Sequence, residues 1–496
     1  MRGIIRYSSY LPHWKLPREE IRTFFGSGGG SGTRSVAGHD EDTTTMAVEA
    51  LRSVLFKTQP SNSAASQSPK DSNRHSYIGA VEDIYFSTTN PAYLDKTNAS
   101  AIHCALSLDT HCGSYDLCGG LRSGIGTLKL ALTSASQNPV LVAISDIRNG
   151  LPTSSDESLG GDGACGFLIG EESDNNPVLA ELLGSYSISD EFLDRWREPS
   201  SSTGKTWEER FGEFRYLEIG NQAFDFACKK FELAPEKINR LITTGMHTRA
   251  VTALVKKLGV GQEQIENDRS TIVGQCGCAH PAIILCAALE KAKPFETIAL
   301  LHLADGADVM FFRTTKAVET YRPSKPLDIQ INSLEAISYS KFLSWRSMVD
   351  LEPPKRPEPS RTSSSAAWRS RHWKYSLDAS VDRKTNSVHM PPSRISYDSG
   401  SIDDMDLISK SNSRGKIATF TIDRLAYSPS PPIIFAIIDF EDGGRFPVEL
   451  TDCLPEQVRI GMEVEMTFRK LGTADGINNY FWKGRLVTQN GLTLHS

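Results

Sequence analysis

Ser114-Tyr115-Asp116-Leu117-Cys118-Gly119-Gly120-Leu121-Arg122-Ser123-Gly124 is the stretch whose reading decides the fold. A short apolar run, Tyr115 to Cys118, meets two glycines. A helical pattern follows, with Leu121, Ile125, Leu128 and Leu130 recurring around Gly124 and Gly126. The pattern is that of a strand entering a helix through a turn without side-chain bulk. Such a turn lets a substrate approach the backbone, and the helix start offers unpaired N–H groups and the positive end of a dipole. A thiol placed there ionises more easily, and the N–H groups can hold an oxyanion, which makes Cys118 a candidate nucleophile. The plain alternative is a tight strand-helix connection with a small buried cysteine.

Working outward, an internal echo sets the architecture. Gly161-Asp162-Gly163-Ala164-Cys165-Gly166-Phe167-Leu168 is an Asp-Gly-Ala turn opening an apolar strand, and Ala304-Asp305-Gly306-Ala307-Asp308-Val309-Met310-Phe311 repeats the design. Each follows a buried strand (Leu141 to Ile144, Ile298 to Leu303), and each of those strands follows a helix (Leu121 to Leu132, Ala282 to Ala292). Two halves built alike predict a duplicated α/β core with the active site between them. Further turns of small residues precede helices at Gly245-Met246-His247 and at Gly274 to Pro281, and all three turns are expected to converge on one cleft.

The remaining chain fits around that core. Gly3 to Tyr10 reads as a strand, Gly26 to Gly32 as a glycine-rich loop, and Asp42 caps a helix carrying Met46, Val48, Leu51 and Leu55. Thr58 to Ser76 is Ser/Asn/Pro-rich and reads as a disordered insertion. Leu334 to Met348 reads as a helix and Pro353 to Ser365 as a linker. From Gly415 five short strands in succession fit a small closed barrel of the oligonucleotide-binding (OB) type. The expected domains are 1–320, 321–413 and 414–496.

Composition narrows the function classes. A chain of 496 residues holds two or three domains, and a net charge of −6 argues against nucleic acid or an anionic membrane as partner. The barrel also lacks basic residues interleaved with aromatics. Nine cysteines scattered in apolar runs read as reduced thiols in a cytoplasmic compartment. Met1-Arg2-Gly3-Ile4 enters a strand directly, as in a chain without a signal peptide. No stretch is apolar for long enough to span a bilayer.

His247, in a turn after a strand, is a candidate general base, the alternative being a hydrogen-bonded structural histidine. Cys276, Cys278 and His280 alternate, but zinc sites space their ligand pairs more widely, so no metal is expected there.

Together these residues resemble the thiolase superfamily, in its hydroxymethylglutaryl-CoA synthase and ketoacyl synthase III-like branch. The likeness is carried by Met1 to Pro12, Gly32 to Ala37 with Asp40-Glu41-Asp42, Thr88 to Ala99, Tyr115 to Gly124, the His247 turn, Gly274 to Pro281 and Asp305-Gly306-Ala307-Asp308. Trp373-Lys374, Val388 to Pro392 and Gly415 to Thr421 resemble the acyl-CoA-associated zinc-ribbon and barrel domain that partners such enzymes. The resemblance implies a duplicated thiolase-like layered α/β fold followed by an OB barrel. It also implies a coenzyme A or acyl-carrier thioester as substrate, no permanently bound cofactor, and a homodimer paired near Ser114 to Cys118. Arg34 and Gly306 stand at coenzyme-binding positions.

The family's site is altered here. The frame of Tyr115-Asp116-Leu117 and Ser123-Gly124 puts the nucleophile position on Leu121, with Cys118 three residues early. The synthase glutamate falls near Thr89, the asparagine on Gln275, and His247 is unchanged. Three readings follow. In one, an enzyme binds a thioester without covalent attachment, polarises it with backbone N–H groups and moves a proton with His247, in aldol- or Claisen-type chemistry. In the next, Cys118 is the nucleophile of an acyltransferase. In the last, the protein is a silent thioester-binding scaffold. The Ser/Pro-rich insertions fit a secondary-metabolic setting. The ribbon's thiol positions read Asp382, Thr385, Ser396 and Ser399, so the ribbon is expected to be a plain linker. A hydroxyl is a poor zinc ligand. Metal analysis of the purified protein should accordingly find no stoichiometric zinc, and one zinc per chain would overturn this reading.

Overall fold

The computed structural model describes residues 1–56, 81–352 and 355–487. The Ser/Asn/Pro-rich stretch Thr58 to Ser76 lies outside the described residues. The described chain clusters into two units, one of Met1–Ala37, Ala50–Ser100 and Asp109–Tyr339, the other of Gly38–Glu49, Ala101–Leu108 and the chain from Ser340 onward.

The first unit is built on the echo. Val140–Asp146 pairs antiparallel with Gly163–Glu171, and Thr297–Leu303 pairs antiparallel with Gly306–Thr314. Each first strand then takes a parallel neighbour on its other side, Asp83–Ser87 in one case and Arg240–Gly245 in the other. One nine-stranded sheet runs through both halves, joined where Gly3 and Ile4 of Arg2–Tyr10 pair with Glu181 and Ala180. Gly113–Asp116 forms one edge, parallel to Asp83–Ser87.

Alternation along the strands sets the layers, because successive side chains leave opposite faces of a sheet. Ile298, Leu300, Met310 and Phe312 pack with the buried helix His280–Lys291. The helix Ser123–Thr133 joins the same core through Ile125, Leu128 and Leu132, as do Val142, Ile144 and Phe167 from the other half. The intervening residues Ala299, Leu301, Val309 and Phe311 pack on the helix Glu209–Lys230 through Ile219, Ala223 and Phe224. Helix His280–Lys291 is apolar all round because it is covered on every side. Gly124 is required where the two central helices approach: a Cβ there would fall on the Cys278 carbonyl.

Three boundaries differ from the sequence reading. The edge strand stops at Asp116, and the helix begins only at Ser123. Leu334 to Met348 is not one helix, since Glu335–Ala336 pairs with Trp14 and Lys15 and the helix covers Tyr339–Trp345.

In the second unit, Arg414–Asp423, Ile433–Phe440, Arg445–Thr451, Ile477–Leu486 and Glu463–Ala474 close a barrel in that order. Ile434, Ala436, Ile438 and Phe440 face its interior at every second position. The ribbon is no plain linker. Asp378–Asp382, Val388–His389 and Met405–Ser409 form an antiparallel sheet. The Asp382 carboxylate accepts the Ser399 hydroxyl and the Lys384 N–H (2.8 Å), while Ser396 Oγ accepts the N–H groups of Asp398 and Ser399 at 3.2 Å. Hydrogen bonds from Ser396 and Ser399 hold the Asp382 carboxyl below the usual carboxylate range.

The outer face of the barrel, opposite Ile434 and Ile438, carries a buried network of charges. Lys483 Nζ lies 3.0 Å from Asp40 and also pairs with Glu449. Arg469 pairs with Glu41 (3.1 Å) and Asp452 (2.7 Å). Burial raises the Asp40 carboxyl, but Lys483 and Arg469 more than offset this and leave it well below its ordinary value. Breaking a buried pair from one side leaves an uncompensated charge. Lys483→Met should therefore cost about 3–5 kcal/mol, read as a lower urea midpoint for the barrel's transition. A depressed carboxyl contributes stability above its unfolded pKa and loses it as pH falls. The wild-type barrel should thus destabilise below about pH 4, and the Met variant should show less of that acid loss.

Candidate active site

The turn after the edge strand is held by backbone pairing to the next strand. Leu117 N–H donates to the Phe86 carbonyl at 2.7 Å and Gly119 N–H to that of Thr88 at 3.0 Å, with Gly119 at φ +120°. The Asp116 carboxylate accepts the N–H groups of Asn98 (2.7 Å) and Ala99 (2.8 Å). Cys118 therefore sits beside Phe86, its sulfur 4.0 Å from that carbonyl. The helix N-terminus is five residues further on and does not reach the thiol. Burial and then Asp116 push the Cys118 pKa up to about 11, the reverse of activation. Leu121 and Arg122 occupy the bend before the helix, and their backbone N–H groups have no acceptor among the described contacts. Arg122 is fixed by Asp308 at 2.6 Å, Ser189 Oγ at 2.8 Å and the Asp305 and Ile188 carbonyls at 3.0 Å.

Behind the turn lies a buried carboxylate. Asp146, at the end of Val140–Asp146, accepts the Thr89 hydroxyl (2.8 Å), the Cys278 N–H (3.0 Å) and the Ile147 N–H (3.1 Å). Burial raises its pKa, with Arg148 acting against that rise. Gly277, at φ +52°, must be glycine because a Cβ would fall on this carboxylate. Arg148 Nη1 donates to Thr89 Oγ1 at 3.1 Å, and the Arg197 guanidinium donates to the Thr89 carbonyl. Asp146, Arg148 and Arg197 were missed in the sequence. For Asp146 a signal existed, a charge directly after a run of apolar strand residues. For Arg197 there was none, because Arg195–Trp196 belongs to a two-stranded ribbon remote in sequence from every motif.

The residues singled out in the sequence fall into separate places. Cys118 and the 275–278 segment meet around Asp146, whose charge acts on both the Cys118 and Cys278 thiols. Gln275 is buried, its backbone bridging Leu159 (2.7 Å) and Gly161 (3.0 Å). His247 stands with Glu209, Asp194 and Tyr216. It caps the helix Thr248–Val255, accepting the Ala250 N–H at Nδ1 (3.2 Å), and its Nε2 faces the Glu209 carbonyl at 2.8 Å. With one nitrogen accepting and the other beside a carbonyl, the proton is on Nε2. No contact joins His247 to Cys118 or Gln275 among the described residues. It is linked to the turn through Asp305, whose carbonyl binds Arg122 and whose charge acts on Asp194 and Tyr216.

Two expected coenzyme contacts are corrected. Arg34 is fully buried, its guanidinium donating to the Glu157 (2.5 Å) and Arg148 (2.7 Å) carbonyls and facing Asp162. It orders the core and offers nothing to a ligand. Gly306 is buried at φ +125°, where a Cβ would strike the Ile188 carbonyl. Its smallness serves strand packing. Cys276 and Cys278 are buried and protonated, burial pushes His280 down to about 4, and no metal-binding cluster occurs among the described residues.

Against known proteins, the chain is 25% identical over 340 residues to a hydroxymethylglutaryl-CoA synthase of Methanopyrus kandleri, covering 66% of this chain and 91% of the relative. Its fold matches a crystal structure of an HMG-CoA synthase complexed with CoA, with a TM-score of 0.58 and 15% identity over 73% of this chain and 95% of that one. It also matches the HMG synthase of the curacin biosynthetic pathway in complex with acetyl donor-ACP, with a TM-score of 0.55 and 16% identity over 70% and 88% of the two chains. Residues 410–469 match the C-terminal OB-fold domain of ChsH2. The fold is thus thiolase-like, with an OB-fold domain at the C-terminal end. Within that class its sequence is similar to those of hydroxymethylglutaryl-CoA synthases.

The Cys118 environment has a direct consequence. Alkylation of folded protein by iodoacetamide should be slow at Cys118 at neutral pH and should accelerate towards a midpoint of about 11, followed by peptide mass mapping. A midpoint below 8 would place an activated thiolate there instead.

Proposed function

We propose that the protein is a thiolase-superfamily enzyme that binds a coenzyme A or acyl-carrier thioester without covalent attachment and makes or breaks a carbon-carbon bond beside its carbonyl. The observation that carries this is the turn itself. An apolar Leu121 stands at the bend where the family places its nucleophile, next to two unpaired backbone N–H groups, while the nearby thiol is held protonated. Backbone N–H groups without a partner can stabilise an enolate or a polarised thioester oxygen. A leucine beside them excludes water and supplies no leaving group, which suits aldol- or Claisen-type chemistry and not acyl transfer. The homology to HMG-CoA synthases, and the carrier-protein complex of the curacin-pathway relative, support both thioester classes as substrates.

In this reading His247 works as a hydrogen-bond donor and proton source. Its Nε2–H, now on the Glu209 carbonyl, is the group that a substrate oxygen would take over. Gln275 acts by holding the backbone of the 274–278 turn against Gly160 and Gly161. The proposal includes a homodimer formed along Gly113–Asp116, supported by the edge position of that strand and by Tyr115, which is 53% exposed on it. It also includes a cytoplasmic setting, supported by nine free cysteines, and a place in secondary metabolism, supported by the curacin-pathway likeness.

The test pairs two variants. Turnover of a panel of β-keto- and β-hydroxyacyl-CoA thioesters, followed by mass spectrometry, should fall about 10²- to 10⁴-fold in His247→Ala. Cys118→Ala should remain active and no acylated Cys118 should be found in the wild type. A folded, inactive Cys118→Ala together with an acylated Cys118 in the wild type would establish the acyltransferase reading instead.

A further inference from the structure

A row of polar side chains crosses the central sheet near the Cys118 to Arg122 turn. Thr244, His302 and Asp308 are ladder partners on three adjacent strands, and Ser187 on a fourth pairs with Asp308. Direct ladder partners point to the same face of a sheet. His302 shares its face with Ile298 and Leu300, which pack with the central helices, while Leu301 and Leu303 pack on the opposite side. The row therefore stands in an otherwise apolar layer, with Thr244, His302 and Asp308 all buried. Asp308 is met by Arg122 at 2.6 Å. His302 is met on one side only. Its Nδ1 lies 3.0 Å from the Thr244 hydroxyl, and its Nε2 has no hydrogen-bond partner among the described residues.

The backbone of Leu121 is the ring's neighbour on that other side. Burial holds the His302 pKa down to about 4, and the Leu121 carbonyl works against this, as an acceptor near a ring N–H does. The ring is thus a neutral imidazole. The carbonyl is itself unpaired, since the Gly126 N–H bonds to Arg122 (3.0 Å) and no N–H donates to Leu121 among the described contacts. A bare ring nitrogen facing it would set lone pair against lone pair, so the proton is on Nε2 and the Thr244 hydroxyl donates to Nδ1. A donor and an acceptor with complementary needs stand opposite each other without a formed bond. The Leu121 carbonyl and the Arg122 N–H belong to one peptide unit, and a donor on that carbonyl strengthens the N–H at its far end, because linked hydrogen bonds polarise one another. We propose that His302 is a positioning residue of the active site: its Nε2–H closes on the Leu121 carbonyl when a thioester oxygen takes the Arg122 N–H, and so increases the polarisation of the substrate carbonyl. The inference rests on the thioester reading above and adds to it a side chain that acts through the backbone of the turn. Hydrogen bonds that are loose in a free enzyme tighten in the complex. Thr244 is the second member of the relay, because its hydroxyl keeps Nε2 a donor.

Difference infrared spectra of carbonyl-labelled acetyl-CoA read that polarisation directly. In the wild type the bound carbonyl should stretch at a lower frequency than the free thioester. His302→Leu should lose about 10–30% of the lowering, the share that one linked hydrogen bond adds. His302→Gln, whose amide N–H can reach the same carbonyl, should restore it, and coenzyme A, which lacks the acyl carbonyl, should bind all three proteins equally. An unchanged band in His302→Leu overturns the relay. So does an equal loss of the shift, or of coenzyme A affinity, in both variants, which marks His302 as a packing residue. If His302→Leu does not fold, a wild-type measurement decides. In protein with isotope-labelled histidines, the imidazole touching the Thr244 methyl group should carry its proton on Nε2, and that signal should move downfield with acetyl-CoA but not with coenzyme A. A proton on Nδ1, or a signal that ignores acetyl-CoA, overturns the relay and leaves the thioester reading intact. Failure of acetyl-CoA to bind, or a bound band at the free frequency, defeats the thioester reading on which the relay rests.

Discussion

A single buried carboxylate draws two remote stretches of chain to the end of its own strand. Asp146 accepts from Thr89, just after one parallel strand, from Ile147 at its own strand end, and from the Cys278 amide before the central helix. A charge without solvent persists in a fold only when its lone pairs are filled. Each of these segments is therefore fixed by the needs of the others. Gly277 is the residue that makes the approach sterically feasible, and Gly124 lets the helix after the Cys118 turn close against the Cys278 carbonyl. Without Asp146 the turn at Cys118 to Arg122 would lose the surface on which its geometry rests.

The electrostatics of that arrangement govern what the site can do. Asp146 and Asp116 both disfavour a thiolate at Cys118, and burial works in the same direction. Covalent chemistry needs the opposite environment, a cation or a helix N-terminus at the sulfur. Two backbone N–H groups and an apolar side chain at the bend offer stabilisation without a nucleophile. The arginines of the site, Arg148 and Arg197, donate to the hydroxyl and the carbonyl of Thr89, and Arg148 acts against the rise of the Asp146 pKa.

In the second unit a small sheet is held by polar bonding. The ribbon retains its antiparallel sheet because Asp382 and the hydroxyls of Ser396 and Ser399 bond to one another and to nearby backbone amides. On the barrel's outer face, Lys483 and Arg469 are buried together with Asp40, Glu41, Glu449 and Asp452. Such a network favours one arrangement strongly, since moving any member strands a charge. That Gly38–Glu49, far away in sequence, supplies two of its carboxylates was invisible in the pattern, because Asp40-Glu41-Asp42 reads equally well as a solvated loop before a helix.

What the sequence by itself determined was whatever repeats with a short period or depends on one residue type. The Asp-Gly-Ala turns and their apolar strands announced the duplicated halves, and alternation in the last eighty residues announced the barrel, because side-chain direction follows from local backbone geometry. The Cys118 to Leu121 turn was legible as a turn for the same reason. Its chemistry was decided by tertiary structure alone. The thiol's protonation depends on burial, Asp116 and Asp146, the capping role of His247 depends on a carbonyl of Glu209, and the burial of Arg34 depends on carbonyls from Glu157 and Arg148. Desolvation and charge pairing are set by neighbours in space, and such neighbours, unlike the residues of a helix face or a strand, have no fixed separation along the chain.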